Sequence, residues 1–240
     1  SWFVHFVSNY MFLDDNIPHY SMLGGHPNFL IESLHPGVFA AVFPNHPYVK
    51  RFARIYKDVL DQYLDIYIRA DDVPHNAREG RAVENVACYS QASLRGILHN
   101  LLGFEQRPVE DIRWVDDRLC AWLRWHMYAL VTADREASWT PPQGAHARER
   151  AGKVEFGDLL LSFGRYLARQ GERVGDELVW CLTKGEEGTR PSLESAAFRD
   201  YGAILRHDFG GEREAYLNLQ QLGHADPIPG WRLPTYDFPT

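Results

Sequence analysis

Residues 45–69, NHPYVKRFARIYKDVLDQYLDIYIR, contain the clearest helical pattern in the chain. Apolar side chains recur there every three or four residues, the spacing that places them on one face of an α-helix. These are Val49, Phe52, Tyr56, Val59, Tyr63 and Ile66. Asn45 or His46 is suited to cap the helix, and Pro47 fits its first turn. The pattern predicts an amphipathic helix that runs to about Arg69.

Most of the remaining sequence also predicts helices. Residues 28–44 have a helical pattern interrupted by Pro36, and residues 84–102 have one that Gly103 is expected to end. Another helix is predicted from Pro108 to about Tyr128, with Ile112 and Val115 on its apolar face. Two shorter helices are predicted near 155–169 and 174–184. Residues 71–81 and 139–153 are rich in proline, glycine and polar side chains, which predicts loops.

The pattern changes after residue 200. Residues 201–207 and 215–219 are short, apolar and alternating, and residues 208–211 (DFGG) between them favour a turn. Such segments predict a pair of strands. The sequence therefore indicates a mainly α chain, with a helical part at 1–190 and the start of a β part at 191–240.

Composition and charge exclude several classes of protein. The net charge of -7 argues against nucleic acid as a partner, although an acidic protein can still hold a local basic cleft for an acidic substrate. No run is apolar enough to span a membrane, and the first residues show no recognisable signal peptide. The cysteines at 88, 120 and 181 form no CxxC pair, which predicts buried thiols. A glycine-rich phosphate loop is also missing from the sequence, which argues against nucleotide binding.

Three stretches, taken in order, resemble the heparinase II/III-like polysaccharide lyases. In the first, residues 24–29 (GGHPNF) lead into a helical pattern that ends near Phe43 and Pro44, similar to the family's Asn-aromatic helix start and Phe-Pro pair. In the second, residues 80–90 (GRAVENVACYS) resemble the Gly, Glu and Tyr run of the family. Residues 201–226 combine a Gly-x-x-x-Leu-Arg strand, a second strand and the sequence GHAD, similar to the start of the family's β domain and its Gly-His-x-Asp element. The resemblance covers roughly residues 20–226.

The resemblance implies an incomplete α/α toroid of helical hairpins, followed by the first strands of an antiparallel β domain. The family has a long helical section before the Asn and a large β domain after the His. This chain therefore looks like a fragment or an unusual truncation, and missing parts of its own chain or an oligomer are expected as partners that complete the fold. One position departs from the family pattern, because Leu222 stands where a His often precedes the Gly.

The family cleaves uronic-acid polysaccharides by β-elimination, which needs a group that offsets the substrate carboxylate, a base and an acid. By resemblance, Asn28 would bind the carboxylate, and Tyr89 and His224 would be the base and the acid in an order left open. Tyrosine titrates near pH 10, so as a base it needs a nearby cation such as Arg81, Arg78 or His224. The structural alternatives are a helix cap for Asn28, a packed helix residue for Tyr89 and a loop histidine for His224.

Further residues are predicted to support the site. Arg81, His26 and Glu84 are assigned to substrate binding, Glu84 chiefly through a supporting hydrogen bond. Arg206 is predicted either to bind substrate charge or to be a solvated strand residue. The resemblance implies no cofactor. No metal is expected either, because His26, His35 and His46 have the spacing of neither HxxxH nor HxH.

The expected function is therefore that of a secreted or periplasmic lyase whose substrate is an acidic polysaccharide or oligosaccharide. Neither nucleic acid nor a membrane is expected as a partner. One alternative is a glycoside hydrolase on a similar helical toroid, which needs two facing carboxylates, such as Glu84 with Asp72 or Asp226. A second alternative is a non-catalytic carbohydrate-binding relative, which the change to Leu222 favours.

Overall fold

A computed structural model describes residues 31, 35–65, 89–106, 109, 112–130, 157–198 and 202–220 of the 240-residue chain. This part of the chain is mainly helical and ends in a small antiparallel sheet, as the sequence predicts. Its helices are α1 (Pro36–Val42), α2 (Val49–Tyr63), α3 (Tyr89–Gln106), α4 (Asp117–Ala129), α5 (Gly157–Arg169) and α6 (Arg173–Leu182). Its strands are β1 (Ala196–Phe198), β2 (Gly202–His207) and β3 (Ala215–Gln220).

The chain divides into two compact units. Unit 1 comprises residues 1–66, 92–114 and 227–232, and unit 2 comprises residues 67–91, 115–226 and 233–240. Helices α4 to α6 and the sheet all belong to unit 2. Within unit 2, the sheet shares a core with α4. Ile204 of β2 packs there with Trp125 and Ala129, and all three are almost completely buried.

In unit 1, α1 and α3 approach each other through glycine. A Cβ atom on Gly103 would lie 2.3 Å from the backbone carbon of Gly37, so only glycine fits at this crossing. The amide of Gly37 donates a hydrogen bond to Oδ1 of Asn100 at 2.8 Å. The prediction that Gly103 ends the helix is therefore wrong, because α3 continues through it to Gln106. Ile31 is helical, His35 is not, and Pro36 begins α1, so the helical pattern is broken near Pro36 as predicted. The first turn of a helix suits a residue without an N–H.

Helix α2 confirms the face predicted from residues 45–69. Val49, Phe52, Tyr56, Val59 and Tyr63 are all buried. The predicted cap is wrong, however, because Tyr48 is the N-cap residue, and its own side chain makes no capping hydrogen bond. The predicted end near Arg69 lies outside the described residues.

In unit 2, α4 begins later than the sequence predicted. Residues 112–116 are not helical, so Ile112 and Val115 lie before the helix and the prediction of a helix over them is wrong. Asp116 is the N-cap: its Oδ1 accepts hydrogen bonds from the amides of Arg118 at 3.0 Å and Leu119 at 3.1 Å. The carboxylate satisfies donors that a helix start otherwise leaves unpaired, and this decides where α4 begins. The two shorter helices predicted after α4 are confirmed as α5 and α6.

The predicted strand pair is confirmed as β2 and β3. They pair antiparallel, with Arg206 opposite Tyr216 and Leu205 opposite Leu217. The three-residue strand β1, which was not predicted, pairs with the other side of β2. One face of the sheet buries Ile204 and Arg206, whereas the other exposes 40% of Leu205, 52% of Leu217 and 48% of Leu219.

Candidate functional site

Most of the predicted site residues lie outside the described part of the chain. These are Asn28, His224, His26, Arg81 and Glu84, and their roles stay predictions. Tyr89 is described through its backbone and is helical in α3. The loop predicted before it lies outside the described residues.

Arg206 has a well-defined structural environment in unit 2. Its side chain is 1% exposed, and Nη1 lies 3.1 Å from Oε1 of Glu214, whose side chain is also 1% exposed. Nη2 donates to the carbonyl of Met127 at 3.2 Å and to the carbonyls of Tyr128 and Leu130, the last residues of α4 and its C-cap. Helix ends leave such carbonyls without partners and favour a nearby cation. Arg206 therefore caps α4 from a strand distant in sequence.

Aromatic rings complete the surroundings of Arg206. The guanidinium carbon lies 4.7 Å from the ring centroids of Phe209 and Tyr216, which gives a cation–π contact to each ring. Burial lowers the pKa of Arg206, while Tyr216 and Glu214 oppose that shift. The alternative of a solvated strand residue is wrong, because the side chain is buried. Binding of a substrate by Arg206 would require the guanidinium to release these partners.

Three other titratable groups of unit 2, His126, Cys120 and Cys181, are held in their neutral forms near neutral pH. Burial lowers the pKa of His126 to about 3, so this histidine is uncharged near neutral pH. Burial raises the pKa of both Cys120 and Cys181 to about 12. A protonated thiol is a poor nucleophile, so neither cysteine is suited to covalent catalysis. Cys181 is buried as predicted, Cys120 is half-buried, and Cys88 lies outside the described residues.

An open cavity of about 650 Å³ lies in unit 1 at the start of α2. Its walls come from residues 44–47, Val49 and Lys50 on one side and from Gln106 and Val109 on the other. None of these described lining residues is acidic. Lys50 forms no ion pair with the residues that the structure describes. The cavity therefore combines a positive charge, amide groups and apolar surface.

His46 is the titratable group in the wall of this cavity. Its Nδ1 accepts a hydrogen bond from the amide of Tyr48 at 3.3 Å. The ring also makes edge contacts with Phe39 and Tyr48, at centroid distances of 5.2 and 5.3 Å. Because Nδ1 is an acceptor, the neutral ring carries its proton on Nε2 and is a donor there. Sequence reasoning considered Asn45 and His46 as helix caps, and His46 also as a metal ligand that its spacing argued against, and it missed this cavity.

Among the described residues, no group of three or more His, Cys, Asp or Glu side chains is arranged to hold a metal ion. Within the same residues, no helix combines the length and the apolar character needed to cross a membrane. Comparison with known proteins found no matching family model, no matching curated protein and no matching solved structure.

Proposed function

We propose that the chain carries the active-site part of a polysaccharide lyase that cleaves an acidic, uronic-acid-containing polysaccharide by β-elimination. In this proposal its helices belong to an α/α toroid, and the protein acts in the periplasm or outside the cell. The support is the order of three motifs in the sequence, followed by the change from helices to an antiparallel sheet. The observation that carries most weight is the helical position of Tyr89 in α3.

A tyrosine that acts as a base needs a nearby positive charge to lower its pKa. The residues before Tyr89, GRAVENVAC, include Arg81, a cation that would serve this purpose or help to hold a negatively charged sugar.

The proposed reaction breaks one bond and forms one double bond. A base removes the proton on C5, next to the uronate carboxylate, whose charge the amide of Asn28 would offset. The electron pair of that C–H bond forms the C4–C5 double bond, and the C4–O bond to the neighbouring sugar breaks. The acid protonates the leaving oxygen. Tyr89 and His224 would share the roles of base and acid, without any cofactor.

The product distinguishes this reaction from hydrolysis. Elimination leaves a C4–C5 double bond conjugated with the carboxylate, and this group absorbs ultraviolet light. Incubation with a panel of uronic-acid polysaccharides should therefore raise the ultraviolet absorbance in step with new reducing ends. New reducing ends without the absorbance would contradict the lyase proposal and favour a glycoside hydrolase.

Substitution of Tyr89 tests its role directly. Tyr89→Phe removes one oxygen and keeps the ring, so turnover should fall about 100- to 10,000-fold if the hydroxyl moves a proton in the transition state. The melting temperature should change little. Asn28→Ala and His224→Ala should also lose turnover while remaining folded. Tyr166→Phe on α5 is the matched control, since Tyr166 is a buried helical tyrosine with no proposed role. Equal activity of the Tyr89 and Tyr166 variants would remove Tyr89 from the mechanism.

A further inference from the structure

We draw no further inference here: the strongest candidate, the apolar outer face of the β2–β3 hairpin on which Leu205, Leu217 and Leu219 are exposed, carries none, because nothing in the structure shows what covers it.

Discussion

Removal of Arg206 should destabilise unit 2 more than the loss of any exposed charge. Arg206→Met deletes the pair with Glu214 at 3.1 Å, the bonds to three carbonyls at the end of α4 and the contacts with two aromatic rings. It also leaves the carboxylate of Glu214 buried without its cation. Breaking a buried pair by removing one partner typically costs about 3–5 kcal/mol. For a domain of this size each kcal/mol shifts the melting temperature by about 2–4 °C, so we expect a decrease of roughly 6–20 °C.

Two further variants separate the contributions. Arg206→Met combined with Glu214→Leu removes both charges, and it should recover much of the lost stability because no buried carboxylate remains. Arg165→Met is the control: Arg165 pairs with Glu187 at 3.0 Å, but both side chains are about half exposed. An exposed pair contributes at most about 1 kcal/mol. Urea unfolding followed by circular dichroism measures all three. A loss below about 1 kcal/mol in Arg206→Met would refute the structural role assigned to Arg206.

Three other substitutions test the fold and its response to pH. Gly103→Ala places a methyl group against the backbone of Gly37 and should cost at least about 1–3 kcal/mol in thermal unfolding, whereas Gly164→Ala, with its nearest neighbour at 3.1 Å, should cost less. Burial opposes the ionisation of Asp116, but hydrogen bonds from Arg118 and Leu119 hold its pKa below the usual 3.8. The ionised carboxylate therefore stabilises the fold above that pH, and this stabilisation is lost as the pH falls below it. The stability difference between the wild type and Asp116→Asn should consequently shrink in acid. His126 binds its proton at pH 6.5 when unfolded but only near pH 3 when folded, so stability should fall as the pH decreases through this interval, and less so in His126→Gln. Equal acid sensitivity of His126→Gln and the wild type would contradict that assignment.

Local patterns predicted the elements whose formation depends on local sequence. The face of α2, the helices α5 and α6, and the hairpin of β2 and β3 follow from the spacing of apolar residues over a few turns or a few strand positions. Some wrong predictions concern residues whose structural role depends on a residue distant in sequence. A glycine such as Gly103 typically ends a helix, but here it lies within α3 because the backbone of Gly37 on α1 leaves no room for a side chain. The start of α4 depended on two competing signals, and the side-chain oxygen of Asp116 prevailed over Pro108 because it satisfies amide donors.

The role of Arg206 was beyond the reach of sequence patterns. Its carbonyl partners lie 76 to 79 residues away in the chain, and no spacing rule connects a strand arginine with the end of a particular helix. The predicted catalytic residues depend on the same kind of long-range convergence. Asn28, Tyr89 and His224 must surround one sugar unit for the proposed mechanism to operate. Their assignment therefore rests on the resemblance, and only the helical position of Tyr89 has a structural counterpart.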